Sequence, residues 1–98
     1  MTRNALIVDK EMGYTHAELL RLLPKAVGGD DIHIDGRVIQ VSGGDRQLRI
    51  ELSEESVRRL GNFRLPVTHV RLTFTGYSDA ERDAALARFW QTYQKGGG

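Results

Sequence analysis

The stretch LPVTHVRLTFTGYSDAERDAALARFWQTY, residues 65–93, decides the fold. Pro66 opens a strand in which Val70, Leu72 and Phe74 alternate with His69, Arg71, Thr73 and Thr75. A period of two is the mark of a half-buried strand. Gly76 and Tyr77 interrupt it, and Ser78-Asp79-Ala80-Glu81 then forms a capping box, whose hydroxyl and carboxylate take up backbone N–H groups at a helix start. Leu86, Phe89, Trp90 and Tyr93 recur at i, i+3, i+4 and i+7, one apolar stripe along that helix. A strand with one apolar side followed by a helix with one apolar stripe calls for a shared core.

The segment 31–52 supplies the rest of the sheet. Asp35-Gly36 reads as the centre of a two-residue type I′ hairpin turn, which pairs Ile34 with Arg37 and Ile32 with Ile39. Gly43-Gly44 reads as a second turn, pairing Ile39 with Leu48. Ile32, Ile34, Ile39, Val41, Leu48, Ile50 and Leu52 then share one face. A one-residue slip would turn either apolar set outward, so the agreement of two independently placed turns supports a three-stranded meander. Val70, Leu72 and Phe74 extend the same face.

Three further elements are expected. Residues 5–8 form a possible short strand, followed by a charged loop, Asp9-Lys10-Glu11. Thr15-His16-Ala17-Glu18 is a second capping box, with Tyr14 placed to staple Leu19. Its helix presents Leu19, Leu20, Leu22 and Leu23, and Pro24 should end or kink it. Ser53 is placed to cap a short helix over 54–60, with Val57 and Leu60 inward, acids in its first turn, Arg58 and Arg59 in its last, and Gly61 as the stop. The expected fold is α+β: an antiparallel sheet of about four strands, a meander plus one, with helices on one face. Residues 1–95 are expected to make a single domain, with 96–98 a flexible glycine tail.

Ninety-eight residues, 40% hydrophobic and 28% charged, suit one globular domain of modest stability. The net charge of +1 provides no global field for nucleic acid or an anionic membrane. Absence of cysteine excludes disulfides, thiolate catalysis and Cys-ligated metals. The apolar run at residues 5–8 is too short for a signal-peptide core or a membrane span, so a cytoplasmic protein is expected.

Candidate binding groups lie on the sheet face left uncovered and around the segment 58–71. His33, Gln40, Gln47, Arg49, Glu51, His69 and Arg71 have the parity of the uncovered face. None is Phe, Tyr or Trp, which argues against base stacking of single-stranded RNA. Arg58, Arg59, Arg64 and Arg71 form a basic group suited to phosphate or an acidic partner. The plain structural reading of both sets is a solvated face balanced by internal ion pairs. His33, His69 and Asp35 have the ligand types of a two-His, one-carboxylate metal site, with nothing in the spacing to fix their distance. No nucleophile elbow or phosphate loop is present, and Asp30-Asp31 is an isolated acidic pair.

Two resemblances accompany this reading. The C-terminal Gly-Gly, two residues only, resembles the tail of ubiquitin-like sulfur carriers, whose terminal glycine carboxylate is activated as an adenylate and then a thiocarboxylate. In that family the tail follows a strand of a ββαββ grasp, whereas here it follows a helix end, where glycine is an ordinary stop. Leu65-Pro66-Val67-Thr68, Phe74-Thr75-Gly76-Tyr77 and the glycine tail resemble a group of small uncharacterised bacterial proteins, which supplies no functional residues.

The functional expectation is a small module without catalytic activity or cofactor, binding a protein partner or forming a homodimer, away from membranes and nucleic acid. Its rivals are anion or nucleic-acid binding through Arg58, Arg59, Arg64 and Arg71, and the sulfur-carrier tail. The residues that would carry binding are Arg49, Arg58, Arg59, Arg64, Arg71, His33 and His69.

Overall fold

The computed structural model describes residues 6–28 and 31–94. Its elements in order are β1 (Leu6–Met12), α1 (His16–Val27), β2 (Asp31–Asp35), β3 (Val38–Gly43), β4 (Arg46–Leu52), β5 (Ser56–Leu60), β6 (Phe63–Thr75) and α2 (Asp79–Thr92). The fold is α+β, with a six-stranded antiparallel sheet in the order β1-β6-β4-β3-β2 and β5 paired to β6. The sheet is thus larger than the four strands legible in the sequence, by β1 and β5.

At 13 residues, β6 is the longest strand and the hub. Its Val70, Leu72 and Phe74 are buried between β1 and β4, with Leu72 fully inaccessible. Ile39, Val41, Leu48, Ile50 and Leu52 continue that face, and Leu19, Leu23 and Ala26 of α1 with Phe89 and Tyr93 of α2 complete one core cluster. Both capping boxes are formed, Thr15 with Glu18 and Ser78 with Glu81. α1 continues through Pro24 to Val27, and Arg88 Nε of α2 donates to the Lys25 carbonyl at 3.0 Å, serving one of the carbonyls left open at the α1 C-terminus. The Tyr93 hydroxyl donates to the Leu19 carbonyl at 2.5 Å, and its ring meets Tyr14 edge-on at 5.4 Å.

The two meander turns sit one residue later than their sequence signals. Asp35 pairs with Val38 and Gly43 with Arg46, so the turns are Gly36-Arg37 and Gly44-Asp45. Only the glycines have positive φ, 62° and 61°, the pattern of a type II′ turn, which spares Asp35 the left-handed region a type I′ turn would impose. Moving a turn by one residue moves each strand's partner by two. The apolar face survives for that reason.

β1 does not end at residue 8. Asp9 and Glu11 lie on the open face beside Arg71 and His69, and Lys10 reaches the Trp90 ring at 5.7 Å, so each charge has a partner within a regular strand.

The segment 54–60 is not a helix. β4 pairs with β6 as far as Leu52 opposite Val70, and pairing resumes with Ser56 opposite Val67. Residues 53–55 therefore face only Thr68 and His69, a bulge of one extra residue. The groups that read as a helix start are used elsewhere. Ser53 Oγ accepts the His69 N–H at 2.9 Å, and Glu55 Oε1 accepts the His16 N–H at 2.6 Å at the α1 N-terminus. His16 Nε2 meets the Ser53 carbonyl at 2.7 Å, so this histidine is half-buried rather than free in solvent. Gly61, with φ 60°, is the first centre of the Gly61-Asn62 hairpin turn and not a helix stop. Beyond the bulge, residues 56–67 project as a two-stranded arm, in keeping with overall dimensions of 52 × 27 × 24 Å. The expected tail, 96–98, lies outside the described residues.

Gly76 has φ 79°, and a Cβ there would fall on the Asp45 carbonyl oxygen. Gly76→Ala is expected to cost about 1–3 kcal/mol in denaturant unfolding, from backbone strain and that collision together. Burial, with a smaller contribution from Tyr14, raises the Tyr93 phenol above its ordinary value of 10.0. The folded chain then keeps a proton that the unfolded chain loses, so this contribution is intact below about pH 10 and declines as pH rises further. Unfolding midpoints measured from pH 8 to 11 should fall at the alkaline end, and Tyr93→Phe should make that fall shallower.

Candidate functional site

The polar face of the sheet is largely self-neutralised. Arg71 on β6 stands between Asp9 on β1 and Glu51 on β4, donating to Asp9 through Nε at 2.8 Å and Nη2 at 3.3 Å. The hydrogen bond from Arg71 holds the Asp9 carboxyl below its usual range against a small opposing desolvation, and the same bond raises Arg71. Arg49 lies 3.7 Å from Glu51, and His69 lies 3.6 Å from Glu11. Where β1, β4 and β6 meet at the bulge there is a shallow recess of about 520 Å³, lined among others by Asp9, Glu11, Glu51, His69 and Arg71. Its charges are already matched by neighbours, and surface pairs of this kind contribute little.

The two histidines do not meet. His33 on β2 and His69 on β6 share the open face, but β3 and β4 lie between their strands. Three strand spacings put them at least roughly 14 Å apart. The two-His, one-carboxylate arrangement with Asp35 is therefore not formed. Among the described residues no cluster of three His, Asp or Glu side chains is placed to hold a metal ion.

The arginine group is divided by the bulge. Arg71 belongs to the sheet, while Arg58, Arg59 and Arg64 belong to the arm. Arg58 reaches back to Glu11 at 2.7 Å. Arg59 and Arg64 are direct cross-strand partners, and neither side chain has an ion pair among the described residues. Like charges directly opposite each other on a ladder are unfavourable.

The apolar residues of the arm are the larger surprise. By strand parity Leu60, Phe63 and Leu65 share one side of it with Arg58, while Val57 and Pro66 share the other with Arg59 and Arg64. Phe63 is 72% exposed, Val57 62%, Leu60 53% and Leu65 43%. The expected inward orientation of Val57 and Leu60 is thus reversed. Along β6 the apolar parity changes sides between Val67 and Thr68, which are both buried, so the arm's row does not extend the core.

The Gly61-Asn62 pair, flanked by Leu60 and Phe63, is the sequence signal that would have revealed the arm. It was masked by the stronger helix-start pattern at 53–55. Among the described residues no helix is long and apolar enough to cross a membrane. Comparison with protein-family models, with curated proteins and with solved structures finds no match to this chain.

Because these side chains support no core within the chain, Phe63→Ser and Leu60→Ser should each change the unfolding free energy of the monomer, measured at low protein concentration, by no more than about 0.5 kcal/mol. Leu72→Ala, at the centre of the sheet, should cost about 2–5 kcal/mol. Urea unfolding of the three variants checks the contrast.

Proposed function

We propose that the chain is a non-catalytic module that binds another protein through the β5–β6 arm, with the helices as the cover of one sheet face. The observation that carries this reading is the exposure of Val57, Leu60, Phe63 and Leu65 together on one projecting hairpin. An isolated two-stranded ribbon is marginal in water, and four large apolar side chains on it gain stability only when something covers them. A phenylalanine among arginines, on a ribbon without Lys, Asp or Glu, has the composition enriched at protein interfaces. The paired charges of the recess offer no unmatched acid, base or nucleophile, which favours binding over catalysis.

Anion or nucleic-acid binding is the second reading, supported by Arg59 and Arg64. It loses two of its four arginines to carboxylates, Arg58 to Glu11 and Arg71 to Asp9. Aliphatic exposure is also not what a phosphate backbone selects.

A photoreactive phenylalanine analogue at position 63, irradiated in cells, distinguishes the two. The proposal expects a discrete adduct sensitive to protease, lost on Leu60→Asp and not formed when the analogue replaces Ala84 on α2. An adduct removed by nuclease instead, or no adduct beyond that at position 84, would overturn it.

A further inference from the structure

We infer that the partner of the arm is a second copy of this chain, and that the arm docks along the free edge of β2. This deepens the protein-binding reading above and rests on it. Unmatched charge on the arm has its complement elsewhere on the chain. Most described arginines and carboxylates are engaged: Arg37 with Glu54, Arg46 with Glu81, Arg49 with Glu51, Arg58 with Glu11, Arg71 with Asp9, and Arg82 with Asp79 and Asp83. Arg59 and Arg64 on the arm have no side-chain partner among the described residues, and neither do Asp31 and Asp35 on β2. The other partnerless arginine and aspartate, Arg21 and Asp45, stand singly on α1 and in a turn.

β2 also has the shape such an arm requires. It is a terminal strand of the sheet, so one of its backbone edges has no strand neighbour among the described residues. Its sequence, Asp31-Ile32-His33-Ile34-Asp35, places a carboxylate at each end and Ile34, 48% exposed, between them. The opposite terminal strand, β1, is a poorer receptor because Asp9 and Glu11 are already held by Arg71 and Arg58. β2 and β5 are each five residues long, so edge-to-edge addition of one to the other leaves no overhang.

Charge also selects this geometry over the simplest symmetric one. The arm carries +3, from Arg58, Arg59 and Arg64, in a chain whose total is +1, so the remainder carries −2. Two arms laid strand to strand would set arginine against arginine. An arm on the body of the other copy sets opposite charges together. Two such contacts related by a two-fold axis close the assembly and prevent an open filament. The like-charged Arg59–Arg64 pair, unfavourable in the free arm, then acquires its counter-ions on assembly.

Sedimentation equilibrium of the full chain at low and at high salt tests this. The expected result is a reversible dimer of twice 11.0 kDa that weakens as salt rises. The double reversal R59E/R64E should weaken the dimer by about tenfold or more, and D31K/D35K by a comparable factor. The fourfold combination should recover most of the loss. Circular dichroism confirms that each variant is folded, and R59Q/R64Q, without reversed charge, should give an intermediate loss. A chain that is monomeric at every concentration, or a dimer indifferent to both reversals, or reversals that do not compensate, would overturn the inference. In those cases a protein adduct at position 63 of mass other than twice 11.0 kDa would leave the broader protein-binding reading standing, whereas a nuclease-sensitive adduct or none would remove that too.

Discussion

The structure depends on how β6 changes company halfway along its length. From Thr68 to Phe74 it lies between β1 and β4, and its apolar row is buried in the common core. From Phe63 to Val67 its one strand neighbour among the described residues is β5. The transition is made by one extra residue in the partner strand, at 53–55, which lets two registers coexist along a single continuous strand. The bulge is fastened rather than loose. Ser53 serves the His69 amide, Glu55 serves the first amide of α1, and the His16 ring meets the Ser53 carbonyl. A helix N-terminus needs acceptors for its open N–H groups and favours negative charge, so α1 and the bulge each satisfy what the other leaves open. Body and arm are thereby separated at a defined point in the chain.

That separation explains the distribution of chemistry. From β1 to β4, charges that share a face lie within reach of their opposites: Asp9, Arg71, Glu51 and Arg49 succeed one another across three strands. Apolar groups with the other parity are buried in one cluster with residues of α1 and α2. On the arm Arg58 reaches Glu11, but Arg59, Arg64 and the exposed apolar groups have no such cover among the described residues. Arg59 faces Arg64, and Phe63 faces water. Natural surfaces tolerate scattered exposed apolar residues, but Leu60, Phe63 and Leu65 lie together on one side of a short ribbon, with Val57 on the other. On the face that seemed in the sequence to offer hydrogen-bonding groups to a ligand, Asp9, Glu11, Arg49, Glu51 and Arg71 are already paired with one another or with Arg58.

What was legible in the sequence follows the same division. The meander, both long helices and their caps could be read because each is specified locally: alternation by parity, helices by a capping box and a stripe. Even the misplaced turns left every side chain on its proper face, since Gly36 and Gly44 each moved the pairing by two residues. β1 was legible only over its first residues, because Asp9 and Glu11 look like a loop until Arg71 and Arg58 arrive from distant parts of the chain. The segment 54–60 was misread because Ser53, Glu54 and Glu55 form a convincing helix start, and the partners that claim Ser53 and Glu55, the amides of His69 and His16, are non-local. Of the candidate binding residues, Arg58, Arg59 and Arg64 lie on one ribbon rather than around a short helix. Arg49, Arg71 and His69 belong to paired positions on the sheet, and His33 stands apart on its edge.

The central claim is that residues 56–60 are a strand held only by residues 63–67, beyond a one-residue bulge. Proton–proton contacts measured by NMR on the chain in solution address it directly. The account predicts short cross-strand contacts joining Arg58 with Leu65 and Leu60 with Phe63, and none between successive amides through 54–60. A continuous run of amide-to-amide contacts over 54–60, the mark of a helical turn, would contradict it.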